Sequence, residues 1–292
     1  MKILITGSRG FIGSHVCQDL QEHGHEVFTT DGVDLTHRDQ VMGLPNVDIV
    51  LHFAAINQPR LFVTRPFDVM TTNVLSTQWL IERYRSEVQR FVLASTSEVY
   101  AGSRDYFDVA MPTDESVPLC VADATDARAS YGGSKIANEL QVQFMQQQFD
   151  TDFTIIRYHN VYGPGQHNQF IPDFLHRVAT TGDTTLMGGA STRTYLYITD
   201  AVEATRIIST SPACVNKTIN VGGAVPYTIR EVAKIVLQIL GNDLQISETP
   251  GGAERHRQGN IDLVKQLTGW SPAVTLPEGL AQVVAKYFDK QQ

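Results

Sequence analysis

The chain has 292 residues, 42% of them hydrophobic, which is enough to bury a large core in one large or two unequal domains. Thirty-one acidic residues against 23 Lys and Arg leave a formal charge of −8, and no run of cations offsets it locally, which speaks against a nucleic-acid partner. The opening MKILITGSRGFIG has too short an apolar stretch for a signal peptide, and nowhere do about 18 apolar residues run together, so a cytoplasmic protein with no membrane partner is expected. Cys17, Cys120 and Cys214 lie far apart and the nine histidines lack ligand spacing, which points to neither a disulfide framework nor a metal site.

Taken in chain order, the apolar runs KILIT (2–6), EVFTTD (26–31), DIVLHFAA (48–55), RFVLAST (90–96) and FTIIRYHN (153–160) read as buried strands. Helix-length stretches separate them, including Ile12–Glu22, Thr71–Ser86 and Tyr131–Gln147, and this alternation predicts a parallel, doubly wound α/β fold. The last two are long enough to offer an apolar face to a second subunit as well as to the sheet. After Gly163-Pro164-Gly165 the pattern becomes irregular: a strand-like 192–200, a helix at 201–209, a strand at 218–223, and helices at 227–241 and 277–288. This predicts a dinucleotide-binding domain of residues 1–164 and 194–223. A smaller, discontinuous substrate domain of 165–193 and 224–292 would lie over the strand ends, with a cleft between the two.

Thr6-Gly7-Ser8-Arg9-Gly10-Phe11-Ile12-Gly13 follows the first strand directly and opens the first helix, where a pyrophosphate can approach bare backbone amides. The second strand run ends in Asp31, a carboxylate placed to accept from the adenosine ribose hydroxyls and to repel a 2′-phosphate, so NAD is expected over NADP. Arg9 works against this, because it can pair with a 2′-phosphate. Tyr131-Gly-Gly-Ser-Lys135 sets a phenol and an ammonium on neighbouring turns of one helix face, where both can act on one substrate atom. A phenol titrates near pKa 10, so use as a base at neutral pH needs adjacent positive charge, which Lys135 supplies.

TGSRGFIG, HFAA (52–55), Asn73-Val74, STSEVY (95–100), YGGSK (131–135), RYHNVYGPG (157–165), STRTYLYITDAVEA (191–204), INVGG (219–223) and TGWSP (268–272) together resemble the extended short-chain dehydrogenase/reductase family, specifically its nucleotide-sugar epimerases, dehydratases and decarboxylases. The resemblance covers essentially the whole chain and implies a Rossmann-type fold with NAD. It implies that Thr96 and Tyr131 contact the sugar oxygen being oxidised, that Lys135 holds the nicotinamide ribose, and that Asn73 opens its helix and supports the cofactor side. The expected cofactor contacts are Gly7, Gly10, Phe11, Ile12, Gly13, Asp31, Asp34, Leu35, Ala54, Asn73, Tyr131 and Lys135. Asn160, Arg193, Arg255 and Arg257 would contact the nucleotide-diphosphate sugar, and Phe170 and Ile171 would pack either on its base or in the core. The paired long helices would form a homodimer.

Ser97-Glu98 carries the reaction-level information by the same resemblance. Oxidation at C4 acidifies the C5 proton, and a glutamate here then assists C5 chemistry, with Ser97 beside it as a weaker acid than the aspartate of many dehydratases. Four readings compete: a dehydratase or epimerase with recycled NAD, a UDP-glucuronate-type decarboxylase, a net sugar dehydrogenase or ketoreductase, and a non-catalytic dinucleotide sensor. The sensor is disfavoured, because a binding module has no chemical need for Thr96, Tyr131 and Lys135 together.

Overall fold

A computed structural model describes residues 1–249 and 254–289. Five strands in chain order, β1 (Lys2–Thr6), β2 (Glu26–Thr29), β3 (Ile49–His52), β4 (Arg90–Thr96) and β5 (Phe153–Tyr158), join Lys217–Val221 in one six-stranded sheet. Every pairing is parallel and the order is Lys217–Val221, β5, β4, β3, β1, β2. Side chains alternate across a strand, so one strand feeds two cores. Ile3 and Ile5 face one cluster together with Ile49, Leu51, Val92 and Ile156, while Leu4 faces the other with Val50, Phe91, Leu93 and Ile155. A buried sheet covered on both sides reads as unbroken apolar sequence, which is why the strand runs were legible.

The helices are α1 (Phe11–Glu22), α2 (Arg38–Met42), α3 (Pro59–Thr64), α4 (Pro66–Tyr84), α5 (Ala101–Tyr106) and α6 (Ala129–Phe149), followed by α7 (Phe170–Thr181), α8 (Ile198–Thr210), α9 (Ile229–Ile239), α10 (Asp262–Thr268) and α11 (Leu276–Asp289). α4 and α6 cover one face of the sheet, closing over Leu80, Ile81, Tyr84, Val142 and Met145. α1 and α8 cover the other with Val16, Leu20, Ala201 and Ile208. Beyond the main sheet, Thr192–Thr194 pairs antiparallel with Pro226–Thr228 and parallel with His256–Arg257. Among the described residues no helix is long and apolar enough to cross a membrane.

Several expectations are corrected. Residues 192–200 are not one strand: Thr192–Thr194 and Leu196–Tyr197 pair with different partners, and α8 begins at Ile198. Asn73 does not open its helix, because α4 starts at Pro66, a residue suited to a first turn where no amide partner is needed. The stretch after Gly165 is not irregular throughout. Ile171, Phe174, Leu175 and Val178 bury one face of α7, which ends on Gly182 in a left-handed conformation (φ 67°). Ile171 therefore belongs to the core, whereas Phe170 is half-buried and stacks on Phe174.

Candidate active site

The site begins at the carboxyl ends of the parallel strands. Gly7 follows β1 at φ 72°, and a Cβ there would stand 2.7 Å from the amide nitrogen of Ala54. At Gly13 any Cβ would collide with the carbonyl of Gly7. The two positions thus bring the first turn of α1 against the turn that follows β1, and no side chain caps that turn. The first-turn amides and the positive end of the helix dipole stay available for a diphosphate. Phe11 and Ile12 are half-buried at the same turn.

Asp31, two residues beyond β2, accepts from Ser8 Oγ (2.9 Å) and pairs with the exposed Arg9 (3.2 Å). The cation feared as a 2′-phosphate partner is therefore held against the carboxylate expected to exclude that phosphate. Asp34 accepts from both the amide and the hydroxyl of Thr36 (2.9 and 2.7 Å), which hold its carboxyl below the usual range and shape the turn into α2. Leu35 is buried in the core below that turn. Thr6 Oγ1, fixed by the buried His52 (2.7 Å), accepts from the amide of Ala54 (3.0 Å). Burial pushes His52 down to about 3, so it stays neutral and serves as a hydrogen-bonding strut to Thr77 (3.0 Å). Asn73, fully buried, clamps the chain after β3 by accepting from the Ile56 amide (2.7 Å) and donating to Ser134 Oγ on α6 (3.0 Å).

The reactive groups stand where β4 and α6 meet. Thr96 closes β4, and its hydroxyl oxygen accepts from the amide of Glu98 (3.3 Å) at the head of a 3₁₀ turn, Ser97–Tyr100. Tyr131 lies on the first turn of α6 with its phenol hydrogen-bonded to Thr96. Burial raises that phenol to about 12, the Thr96 hydrogen bond opposes the rise, and the charge of Glu98 adds to it. One turn further on, Lys135 donates to the carbonyl of Ala94 (2.8 Å); burial lowers it to about 8, with Glu139 opposing. The ammonium therefore sits under the end of β4 and the phenol at its tip.

Two features here were missing from the sequence reading. Phe62 of α3 lies face to face on the Tyr131 ring, with centroids 4.7 Å apart and planes at 5°. A buried ion pair, Arg157 to Glu139 (2.6 Å), ties β5 to α6, with Ser95 donating to the same carboxylate (2.5 Å) and Arg157 donating to Tyr100 (2.7 Å). No local pattern marks either contact. Residues 18 to 69 positions apart in sequence meet only through the sheet topology, although Pro59 and Pro66 do frame α3 in the sequence.

On the far side of Glu98 stand arginines. Arg257, buried, is ion-paired to Glu98. It faces Arg193 in the register of the small sheet, and Arg193 Nη1 donates to the carbonyls of Thr192 (2.7 Å) and Arg255 (2.6 Å). Arg255 is exposed and joins through its carbonyl, and it stands at the margin of the group. Asn160, at φ 40°, donates to the Thr194 carbonyl (2.9 Å), so its amide ties the end of β5 to the same sheet. Ser97 is buried and its carbonyl accepts a long hydrogen bond from Arg104 (3.4 Å), a residue the sequence did not single out.

A glycine turn that opens a helix, an acidic residue after the second strand and a half-buried Tyr131 beside a buried Lys135 at the end of the fourth together make a dinucleotide-dependent enzyme of the Rossmann type, and the residues present fit that cofactor. Residues 3–222 match the model of the NAD dependent epimerase/dehydratase family, and the chain belongs to that family, with NAD as its cofactor. An uncharacterized UDP-glucose epimerase of Bacillus subtilis is 29% identical, over 98% of this chain and 97% of that one. UDP-glucuronic acid decarboxylase 1 of Xenopus tropicalis is 27% identical, over 99% of this chain and 72% of that one. The crystal structure of UDP-glucose 4-epimerase with UDP-glucose from Thermotoga maritima superposes with a TM-score of 0.88 at 25% identity, covering 100% of both chains.

Proposed function

We propose that the chain acts on a nucleotide-diphosphate sugar through a 4-keto intermediate, with NAD recycled internally, and so dehydrates or epimerises the sugar. The observation that carries this reading is the meeting of Thr96, Tyr131 and Lys135 at the end of β4, with Glu98 on the same edge. Bound NAD supplies the acceptor, and later the donor, of the hydrogen leaving C4. Tyr131 oxygen takes the C4 hydroxyl proton as the C4–H electrons depart, Thr96 orients that oxygen, and the Lys135 charge favours the phenolate. The ketone acidifies C5, and Glu98 takes the proton there once its carboxylate turns from Arg257. Gly7, Gly10, Phe11, Ile12, Gly13, Asp31, Asp34, Leu35, Ala54 and Asn73 would hold the cofactor; Asn160, Arg193, Arg255 and Arg257 would hold the sugar nucleotide.

Loss of carbon dioxide from a uronic sugar is the second reading, favoured by the guanidinium pressed against Glu98 and by the decarboxylase among the relatives. A nucleotide-sugar panel read by mass spectrometry separates the two: loss of water or unchanged mass supports the first reading, loss of carbon dioxide the second, and no turnover of any nucleotide sugar overturns both. Under the first, Glu98→Gln should abolish deuterium exchange at C5, and retained exchange would make the carboxylate structural.

The same reading gives a cofactor domain of 1–164 and 194–223 and a substrate domain of 165–193 and 224–292, working in the cytoplasm. A homodimer through α4 and α6 is supported by the exposed apolar side chains Phe67, Met70, Leu140 and Phe144 on these adjacent helices. Light scattering that gave a monomer mass at micromolar concentration would remove the dimer.

A further inference from the structure

A run of hydrogen bonds crosses the buried cofactor end, and all of them point the same way. The Ala54 amide donates to Thr6 Oγ1 (3.0 Å), that hydroxyl meets Nδ1 of His52 (2.7 Å), and His52 Nε2 meets Thr77 Oγ1 (3.0 Å). Thr77 donates in turn to the Asn73 carbonyl (3.1 Å). A hydroxyl has one hydrogen, so with its own spent on Asn73 the Thr77 oxygen can only accept from Nε2. The imidazole is neutral, held down to about 3 by burial and then by the charge of Lys135, so Nδ1 keeps a bare lone pair and accepts from Thr6. Beyond Asn73 the direction persists: its Nδ2 donates to Ser134 Oγ (3.0 Å), which donates to the carbonyl of Tyr131 (2.8 Å). Thr6, His52, Asn73, Thr77 and Ser134 are all fully buried.

The two ends of this run belong to the two halves of a hydride transfer. Ala54 lies against the dinucleotide turn, since a Cβ at Gly7 would stand 2.7 Å from that same amide nitrogen. Tyr131 carries the phenol. On the way, Asn73 also grips the chain after β3 through the amide and carbonyl of Ile56 (2.7 and 3.2 Å). One-way hydrogen bonds polarise one another, and in a dry interior each missing link leaves a buried group unpaired. A neutral imidazole suits the middle of the run, because one rigid ring accepts on one edge and donates on the other. We propose that His52 is a positioning residue of the reaction: as the middle link it holds the dinucleotide turn and Tyr131 in one frame, so that nicotinamide and phenol meet the same CH–OH group together. This rests on the role of Tyr131 in the nucleotide-sugar reading above. His52 itself exchanges no proton.

The test has a spectroscopic half and a kinetic half. In NAD-loaded protein carrying ¹⁵N-labelled histidine, the ring signal displaced by Thr77→Val should show a hydrogen on Nε2 and none on Nδ1, unchanged between about pH 5 and 8. A hydrogen on Nδ1, or titration within that range, breaks the one-way run and overturns the proposal. Turnover is then followed with UDP-glucose, or with the sugar of the panel that reacts, carrying hydrogen or deuterium at C4. Thr77→Val keeps its shape and cuts the run, so kcat should fall about tenfold and show the full C4 isotope effect, while KM and NAD affinity hold. Ser134→Ala cuts the same run from the other end, and the double variant should be no slower than the slower single one. His52→Gln, which keeps a donor toward Thr77, should retain more of kcat than His52→Phe. Because His52→Phe leaves two buried hydroxyls unpaired and can cost the fold, Thr77→Val is the deciding variant. Lost thermal stability with kcat and isotope effect unchanged makes the run an element of the fold alone, and losses that multiply in the double variant make its contacts separate. Either result overturns the proposal and leaves the nucleotide-sugar reading intact. No turnover of any sugar by the unaltered protein overturns the nucleotide-sugar reading and the positioning role with it.

Discussion

The two ends of the site are made of different material. At the cofactor end the work is done by bare backbone at Gly7 and Gly13, by neutral buried groups such as Thr6, His52, Thr77 and Asn73, and by one exposed carboxylate, Asp31. At the arginine end three guanidiniums surround Glu98, and long side chains reach in from α5 and two small strands. Backbone shape and neutral hydrogen bonds cost little to bury once satisfied, and they can be built rigid and early in the chain. Charges in excess are tolerable only where a counter-charge arrives, so that end is shaped for its ligand rather than for stability. Tyr131 and Lys135 stand where the two ends meet.

The largest expected effect is at that junction. Tyr131→Phe removes the proton acceptor and leaves both ends intact, so kcat should fall by about 10³-fold while NAD affinity and thermal stability change little. A loss below tenfold would mean that another group, Glu98 first among them, takes the proton from the substrate hydroxyl. The comparison between the ends would then lose its centre.

Gly13→Ala probes the backbone end with a single methyl. Its Cβ must displace the Gly7 carbonyl, and overpacking of this kind costs about 1–3 kcal/mol of stability, with NAD binding weakened in parallel. Retained stability and cofactor affinity would show that the turn is less rigid than its geometry implies. Asp31→Asn is milder. The side chain keeps its shape and its contact with Ser8 but loses the charge, so NAD should bind about tenfold more weakly and NADP more tightly, as Arg9 is released. Fluorescence titration with both cofactors reads the ratio, and an unchanged ratio would assign the discrimination elsewhere.

These contrasts also explain what could be read in advance. The glycine turn, Asp31 and the Tyr131–Lys135 spacing are local patterns whose meaning survives without tertiary structure, and the strand runs were legible because a doubly covered sheet writes itself as apolar sequence. The arginine end is assembled from residues 98, 104, 193 and 257, and nothing within a short window signals their meeting. α7 was missed for a different reason. Phe170, Ile171, Phe174, Leu175 and Val178 carry the helical period, with Gly182 as its stop, but the preceding Gly163-Pro164-Gly165 and the polar run to Gln169 read as the start of a loop. Phe62 lies between these cases. Its helix is framed by prolines, yet no sequence rule says that its ring will find Tyr131.

That ring contact leads to the smallest effect and a sharp one. A phenyl face stacked parallel on a phenol excludes water from one side and sets a negative π-face against any charge forming on the phenolate, so it should help hold Tyr131 high. Phe62→Leu keeps an apolar side chain at that position but removes the flat ring. The phenol should then ionise at lower pH, so the rising limb of kcat against pH moves to lower pH, while looser seating of Tyr131 lowers the plateau a few-fold. Lys135 supplies an internal control. Its ammonium, lowered to about 8, is charged below that pH and neutral above it, so the help it gives the phenolate is lost as pH rises and kcat has a falling limb. That falling limb should stay in place in Phe62→Leu, whereas in Lys135→Arg, where the charge persists, it should move to higher pH. If Phe62→Leu lowered thermal stability without moving the rising limb, the stack would be packing alone, and the height of the Tyr131 phenol would rest on burial by the rest of the site and on the nearby charge of Glu98.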